Sequence, residues 1–560
     1  MTTIDPQATG TSRGEAAPEP EVGRTQWVAL VVLLVAVFMD MLDGNVVSVA
    51  IPSIQQELGA GYAAVQWITA GYVLTFALLL ITGGRLGDIY GRKKMFLIGV
   101  LGFTVMSLAC GIATSPEMLI VARLLQGATA GLMVPQVLSI IHVTFPKGQQ
   151  GKVFAVYGMV GGIAATVAPL VGGLIVDADL FGLDWRPVFL MNVPVGIAGL
   201  YIGWKSIQES LAERRPRLDL PGVLLAMATV VLLMFPLTQG REHGWPWWGF
   251  GMMALAAVGL AVFVAYERRT ERASESPLVP LRLFRTRTFS ASLGLQLAVY
   301  LFTGAFFLCW YLFMQLGLGW SPLHAGSTAL AFCLGAFVSS ALSVTVLVPK
   351  FGRAVLQVGA VLLLVGLLLF LWALSSKGAA IGSWHMAPAL FVLGVGFGCL
   401  SPPIPQFALS DVSHEDAGSA SGLINTVQQL GLALGIALVS VLFFLPLASQ
   451  AERGAADAGP DVRVALQSAG VPQGDLDAVT AAFRDCTAGV SGASGGDCVP
   501  AAVRGDEEAS ATLEKLRAEV TGDSFTHALK IAVIGSMAVS VATLLMSFAL
   551  PRHVRRQQEA

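Results

Sequence analysis

The chain has 560 residues, of which 55% are hydrophobic and only 12% are charged, and its mean hydropathy is +0.70. Soluble proteins carry about 25% charged residues, so this composition excludes a soluble globular protein and indicates a polytopic membrane protein. The formal net charge of −2 gives no indication of a nucleic-acid partner.

The first residues, 1–26, are polar and contain proline and glycine, which predicts a disordered tail and not a signal peptide. The rest of the chain holds apolar stretches of about 20 residues, the length that crosses a hydrocarbon core of about 30 Å. An even number of such stretches puts both termini on the same side of the membrane. We predict fourteen spans, numbered 1 to 14, at 27–50, 62–84, 95–113, 118–141, 153–176, 187–204, 220–238, 247–266, 289–314, 323–348, 355–374, 386–409, 418–447 and 525–550.

Lysine and arginine are distributed unevenly between the connecting loops. Most of the 34 basic residues lie in the tails and in the loops on the N-terminal side, whereas the short opposite loops hold only Arg186, Arg241 and Lys377. Basic loops stay in the cytoplasm. We therefore expect a multi-pass protein of a bacterial plasma (inner) membrane with both termini cytoplasmic.

Two similar loops indicate an internal repeat. "GGRLGDIYGRKK" follows span 2 and "LVPKFGR" follows span 10. If spans 7 and 8 are an insert, spans 2 and 10 are each the second span of a six-span block. Transporters built from two repeated halves show this kind of weak symmetry. The predicted divisions are a cytoplasmic tail (1–26), an N-terminal six-helix half (27–204), linkers with two inserted spans (205–288), a C-terminal six-helix half (289–550) and a second cytoplasmic tail (551–560).

The long segment 448–524 between spans 13 and 14 is predicted to be an extracellular loop. It contains Cys486 and Cys498, while the other four cysteines fall in spans. The oxidising exterior permits a Cys486–Cys498 disulfide. The alternative is two free thiols on a flexible loop.

The loop after span 2, "GRLGDIYGRKK", resembles the signature loop of the major facilitator superfamily. The matching positions include Gly84, Asp88, Gly91 and Arg92. Glycines let a tight loop pass close to a neighbouring helix, and Asp88 can pair with Arg92 or with a basic residue of another span. The resemblance implies a gate that holds one side of the transporter closed; an ordinary basic loop is the alternative.

Further segments resemble the fourteen-span drug:proton antiporter family of this superfamily. They are "LDGNVVSVAIP" in span 1, "RLLQGATAG" in span 4, "WRPVFLMNVP" at the start of span 6, "PLVPLRLFRTRTF" before span 9 and "GSASGLINTVQQLGLALGIAL" in span 13. The resemblance implies an all-α polytopic protein of the major facilitator fold. It also implies multidrug efflux by proton antiport and alternating access, with the proton as the coupling ion and no cofactor or metal.

The antiporter motif of span 5 departs from the family pattern. It reads "AATVAPLVGG", which keeps Pro169, Gly172 and Gly173 but has alanines in place of two glycines. Small residues permit close helix contact, and proline bends a helix. We therefore expect the packing and gating role of this segment to hold.

Two carboxylates, Asp40 and Asp43, lie in the otherwise apolar span 1. They are three residues apart and share a helix face, and at 1.5 Å per residue Asp40 lies about 20 Å from the membrane entry at Trp27. A charge at that depth costs about 2.5–3.5 kcal/mol, and two neighbouring carboxylates titrate as a pair. We predict that they exchange protons, the resemblance favouring Asp43. The alternative is that one of them only pairs with Arg123 to hold spans together.

Arg123 lies about five residues into span 4 and is costly there unless it is paired. Its expected partners are Asp43, Asp40 or other polar groups of span 1, which would give it a part in proton coupling. The alternative is an arginine that extends to the outer membrane interface.

No aspartate or glutamate lies well inside spans 9 to 13, so the predicted acidic chemistry is confined to the N-terminal half. Aromatic walls with hydrogen-bonding groups suit bulky amphipathic compounds. The predicted substrate contacts are Tyr300, Trp310, Asn425 and, from the span 1 motif, Asn45. The alternative for each aromatic residue is contact with lipid or with packing neighbours.

An enzyme is the first rival class, but no HExxH, GxSxG or Cys/His array occurs, and no phosphate-binding loop for ATP. A sensor or structural protein is the second. Within transporters, the alternative is export of an endogenous lipid, a siderophore or an antibiotic made by the same cell. The expected partners are an amphipathic small molecule and the lipid bilayer, and the expected state is a monomer.

Overall fold

The computed structural model describes residues 23–211, 219–240, 243–273, 277–279, 281–410, 412, 417–469, 471–488 and 507–552. All regular secondary structure in these ranges is helical. Within the same ranges, thirteen helices are long and apolar enough to cross a membrane. The helix Lys147–Asp177, which is not among the thirteen, occupies the position of predicted span 5. A helix therefore stands at each of the fourteen predicted positions.

Local signals set the ends of several helices in the N-terminal half. Gly59 has a positive φ of 65° and ends span 1, and Gly91 (φ 109°) separates spans 2 and 3. Ser115 accepts a hydrogen bond from the Met118 N–H at 3.2 Å and caps span 4. Spans 1 to 6 are Arg24–Leu58, Tyr62–Tyr90, Arg92–Gly111, Pro116–Thr144, Lys147–Asp177, and the broken pair Pro187–Leu190 and Asn192–Ser206.

The inserted pair comprises span 7 (Leu220–Gln239) and span 8 (Trp247–Arg272), and a 3-10 turn, Leu281–Arg285, follows it. The C-terminal half contains π-helical segments at Phe313–Gly317, Ser343–Leu347 and Ser440–Phe444, which extend spans 9, 10 and 13. Spans 9 to 14 are Arg287–Leu312, Pro322–Leu342, Ala354–Lys377, Ser383–Leu400 with Pro403–Leu409, Ala417–Val439, and Glu507–Ser547.

The segment predicted as an extracellular loop is largely helical. Helices Leu445–Asp457, Gly459–Ser468 and Leu476–Ala488 pack with the first part of the span 14 helix around an apolar cluster of their own. At about 1.5 Å per residue, the 41-residue helix Glu507–Ser547 is roughly twice as long as a membrane core is thick. Its first half therefore extends beyond the bundle, and we call residues 445–469, 471–488 and 507–524 the helical cap.

The cysteines of the cap are described only in part. Cys486 is disulfide-bonded, whereas Cys498 lies outside the described residues. The Cys486–Cys498 pairing therefore stays a prediction. Cys110, Cys309, Cys333 and Cys399 of the spans are free.

The two halves meet through spans 2 and 13 and through spans 5 and 10. Near the cap, the Tyr62 and Phe444 rings lie 4.0 Å apart, and the Gln315 amide donates to the Val49 carbonyl oxygen at 3.1 Å. A Cβ on Gly173 would lie only 2.7 Å from the Leu323 Cα. The halves are therefore closely packed at the face that carries the cap.

Candidate functional site

Asp43 of span 1 is the centre of a buried polar network. Its side chain is 0% exposed and forms an ion pair with Arg123 of span 4, with 2.5 Å between Arg123 Nη1 and Asp43 Oδ2. The other carboxylate oxygen, Oδ1, accepts from the Gln126 amide at 3.1 Å and from the Asn192 amide at 2.8 Å. One carboxylate thus joins spans 1, 4 and 6.

Arg123 is held by more than its ion pair. Its Nη1 also donates to Gln126 Oε1 at 2.8 Å, and its Nε donates to the Ile68 carbonyl oxygen at 3.2 Å. The guanidinium carbon lies 4.1 Å from the centroid of the Tyr72 ring and 5.6 Å from that of Phe189, within cation–π range. The residue is 1% exposed. It therefore does not extend to the membrane interface, and its counterion is Asp43.

The sequence analysis missed several members of this network. Gln126 and Asn192 orient the Asp43 carboxylate, and the Asn192 amide also donates to Ser107 Oγ at 3.0 Å, which donates in turn to the Phe189 carbonyl oxygen at 2.9 Å. Gln126 and Asn192 stand inside the segments "RLLQGATAG" and "WRPVFLMNVP". The signal was present there, but the motifs alone do not indicate which residue faces Asp43.

Asp40 has different surroundings from Asp43. It is 4% exposed and accepts a hydrogen bond from the Tyr72 hydroxyl at 2.5 Å. Within the described ranges it forms no ion pair. Because the ring of Tyr72 lies against Arg123, Asp40 is connected to Asp43 through two side chains, Tyr72 and Arg123.

The signature loop is built around Gly91. Arg92 donates to Asp88 Oδ1 through Nη2 at 2.8 Å and through Nε at 3.1 Å. A residue that the sequence analysis missed, Glu209, accepts from the Lys93 N–H at 3.0 Å and so satisfies the start of span 3. A Cβ on Gly91 would lie 2.6 Å from the Glu209 carboxylate. Only glycine fits the positive φ and the close carboxylate at this point.

The span 5 motif lies at two helix crossings. A Cβ on Gly172 would lie 2.6 Å from Val46 Cγ2 of span 1, and Gly173 faces span 10 in the contact between the halves described above. Gly84 is less crowded, since the nearest atom to a Cβ there is in Pro135 at 3.7 Å. The side chain of Pro169 lies outside the described residues, so its role stays a prediction.

Comparisons with known proteins agree with this architecture. The family model described as Major Facilitator Superfamily matches residues 33–436. The chain belongs to the Major Facilitator Superfamily. It is accordingly an integral membrane transporter and not an enzyme.

Similar proteins of the superfamily cover most of the chain. A protein of Streptomyces coelicolor named "Probable actinorhodin transporter" is 39% identical over 539 residues, which is 96% of this chain and 93% of that protein. The "Tetracenomycin C resistance and export protein" of Streptomyces glaucescens is 35% identical, over 74% of this chain and 76% of that protein. The crystal structure of a bacterial homolog of the human lysosomal transporter Spinster, inward-facing and occupied, has a TM-score of 0.57 at 16% identity. It covers 94% of this chain and 97% of that one, and it supports the fold alone.

The residues predicted to contact substrate lie in separate surroundings of this major facilitator fold. The Tyr300 hydroxyl lies 2.8 Å from Ser401 Oγ, and Asn425 is half-buried on span 13. Trp310 is fully buried and stacks on Phe306 with 6.2 Å between ring centroids, and its indole N–H has no hydrogen-bond partner in the described part of the chain.

Asn45 is exposed on span 1 and donates to the carbonyl oxygen of Met41 in its own helix at 2.6 Å. Polar residues of the C-terminal half also pair across helices, since the Gln296 amide of span 9 donates to Gln428 Oε1 of span 13 at 2.9 Å. The C-terminal half therefore offers uncharged hydrogen-bonding groups and aromatic rings.

Proposed function

We propose that this protein exports bulky amphipathic or lipophilic compounds, including antibiotics and other drugs, in exchange for protons by alternating access. The names of its relatives support the substrate class, because one is called a transporter of actinorhodin and another an export protein for tetracenomycin C. The coverage of both supports a shared transport function along most of the chain.

The observation that carries proton coupling is the buried carboxylate of Asp43 with its three donors. An ionisable side chain in a span is costly and is a functional-site hypothesis by default. Here the carboxylate bonds to spans 4 and 6 at once, through Arg123, Gln126 and Asn192. A proton on Asp43 would remove the charge that binds Arg123, and so would loosen the joint between these helices.

Arg123 can remain in place when that ion pair is lost. The Ile68 carbonyl oxygen, the Gln126 side chain and the Tyr72 ring still face the guanidinium. Arg123 therefore has two sets of contacts, one with the Asp43 carboxylate and one without it. A change from one set to the other when Asp43 takes up a proton would couple protonation to a movement of the helices.

Asp40 is included in the coupling site because it is a second buried carboxylate with one neutral donor. A proton on Asp40 would remove a buried charge that forms no ion pair within the described ranges, whereas a proton on Asp43 would leave Arg123 without its counterion. We therefore expect protonation of one carboxylate to affect the other through their shared neighbours Tyr72 and Arg123, and we expect the two not to act as equivalent sites.

The membrane arrangement follows from the basic loops. Both termini are cytoplasmic in a bacterial plasma membrane, the helical cap lies outside, and the Asp88–Arg92 pair lies at the cytoplasmic gate. The protein acts as a monomer and needs no cofactor besides the proton. Protons moving down the gradient can drive export, since each charge carries about 2.3 kcal/mol per 100 mV.

The test is substrate-driven proton movement in proteoliposomes that contain the purified full chain and a pH-sensitive dye. Candidate dyes, antibiotics and lipids are added in turn, and we expect substrate-dependent proton movement with the wild type and none with Asp43→Asn. The matched control is Asp461→Asn, an identical change at an exposed position of the cap, which leaves proton movement unchanged.

Retained substrate binding and a single gel-filtration peak would show that the Asp43→Asn variant is folded. Proton movement at the wild-type rate in that folded variant would overturn the assignment to Asp43. A wild type that transports substrate with no proton movement would overturn proton coupling altogether.

A further inference from the structure

A cavity of about 1050 Å³ lies beside the two inserted spans. Its walls come from span 2 of the N-terminal half, spans 7 and 8 of the insert, span 13 of the C-terminal half and the turn Leu281–Arg285. None of the coupling residues lines it. The cavity is therefore a separate feature from the site described above.

Away from one charged end, the wall of this cavity is apolar apart from two threonines. Leu78, Ala226 and Leu430 are among the apolar residues that line it. Thr229 and Thr426 also line it, but each hydroxyl donates to a carbonyl oxygen of its own helix, at 2.7 and 2.9 Å. The wall therefore offers no free hydrogen-bond donor to a polar ligand and suits a hydrocarbon chain.

One end of the cavity is strongly basic. Four arginines line it, together with the single acidic residue Glu271, whose carboxylate accepts from the backbone N–H of Arg282 at 3.1 Å. Arg268, Arg272 and Arg285 are exposed, and within the described ranges none of them forms an ion pair. These side chains are positioned to receive an anion at the mouth.

The length of the cavity matches one leaflet of a bilayer. Leu260 and Arg272 both line it and lie on the span 8 helix, twelve residues and therefore about 18 Å apart. Half of a hydrocarbon core is about 15 Å. The distance from the apolar end of the cavity to the arginines is therefore close to the thickness of one leaflet. A phospholipid with its chains in the cavity would place its headgroup at the arginines.

The basic rim is held in place by buried polar contacts. The Asp219 carboxylate accepts from the Leu278 N–H at 3.3 Å, and the Glu267 carboxylate accepts from the Val279 N–H at 3.1 Å. Arg85, within the signature loop, donates to the carbonyl oxygen of Pro277. The segment that carries two of the arginines is thus anchored to spans 2, 7 and 8, so the cavity is formed before any ligand enters.

We propose that this cavity binds one anionic phospholipid from the leaflet on the side of the chain termini. The acyl chains would lie between spans 2, 7, 8 and 13, and the headgroup phosphate would lie among Arg268, Arg272 and Arg285. A phosphate takes bidentate hydrogen bonds from arginine, and basic residues favour anionic lipid at a membrane surface. This inference is independent of the proposed transport function, because it rests on a different cavity.

The test uses the purified full chain in detergent and phosphatidylglycerol with a fluorescent label on its tail. Unlabelled phosphatidylglycerol, neutral phosphatidylcholine and soluble glycerol phosphate serve as competitors. We expect phosphatidylglycerol to compete best and glycerol phosphate to fail, because it lacks the chains that fill the apolar wall.

Two double variants test the charged rim. Arg272→Gln with Arg285→Gln removes two rim charges. Each basic residue contributes about 1 kcal/mol to the binding of anionic lipid, so the pair should weaken phosphatidylglycerol binding by about 30-fold. The matched control, Arg269→Gln with Arg287→Gln, removes two exposed arginines that do not line the cavity and should leave binding unchanged. Ala226→Phe fills the apolar part and should weaken binding of both lipids.

Three outcomes would overturn the proposal. Equal loss with the two arginine pairs would indicate a diffuse basic surface. Competition by glycerol phosphate at the strength of the lipid would indicate a site for free anions. Unchanged lipid binding in Ala226→Phe, with the variant folded, would show that no acyl chain enters the cavity.

Discussion

The N-terminal and C-terminal halves share a helical architecture but bury different polar groups. In the N-terminal half, the ionisable residues Asp43, Asp40 and Arg123 are almost completely buried, and their contacts join spans 1, 2, 4 and 6. In the C-terminal half, the buried polar contacts that the described residues of spans 9 to 13 make are between uncharged groups, such as the amides of Gln296 and Gln428. This difference supports the proposal that proton chemistry belongs to the N-terminal half and that the uncharged contacts of the C-terminal half meet varied compounds.

The largest effect is expected from Arg123→Gln. This change leaves the Asp43 carboxylate buried without its counterion, which costs about 3–5 kcal/mol and should also abolish gradient-driven efflux. Thermal unfolding in detergent and efflux from cells measure the two effects. Combining it with Asp43→Asn should recover most of the stability but no efflux; recovery of both would mean that the ion pair only holds helices together.

An intermediate effect is expected from Asn192→Ala. The variant loses the hydrogen bond from the Asn192 amide to Asp43 Oδ1, and a bond to a charged group contributes about 1.5–3 kcal/mol. The pH at which efflux is half-maximal should move while substrate affinity stays constant. A change of substrate affinity with an unchanged pH profile would place Asn192 with the substrate contacts instead.

The smallest effect is expected from Tyr300→Phe in the C-terminal half. It removes the hydroxyl that lies against Ser401, a neutral hydrogen bond that contributes about 1 kcal/mol. We expect a change of up to about tenfold in KM for some compounds, with proton movement per molecule transported unchanged. Loss of proton movement in this variant would break the division between the halves.

Much of this account could be predicted from sequence because it depends on local patterns. The fold class and the family are confirmed. They could be predicted because the length of an apolar stretch and the loop motif depend only on residues that are neighbours in the chain. Asp43 was among the expected partners of Arg123, because a buried arginine in a span requires a counterion.

The remaining features depend on contacts between distant segments. Tyr72, Gln126 and Asn192 look like ordinary polar residues of spans until the helices pack and bring them to Asp40 and Asp43. The segment 448–524 was predicted to form a loop because it is too polar to cross a membrane. Its helices pack on the extended span 14 helix, a contact that local sequence does not indicate. Trp310 is enclosed by aromatic neighbours such as Phe306, and its contact with substrate stays a prediction.

The most direct test of the division between the halves is proton release on substrate binding to the purified protein in detergent, followed with a pH indicator in weak buffer. The wild type and a C-terminal variant, Gln296→Ala with Tyr300→Phe, should release protons in proportion to the substrate bound. The N-terminal variant, Asp40→Asn with Asp43→Asn, should bind substrate and release none. Proton release that persists in the N-terminal variant and disappears in the C-terminal one would contradict the account.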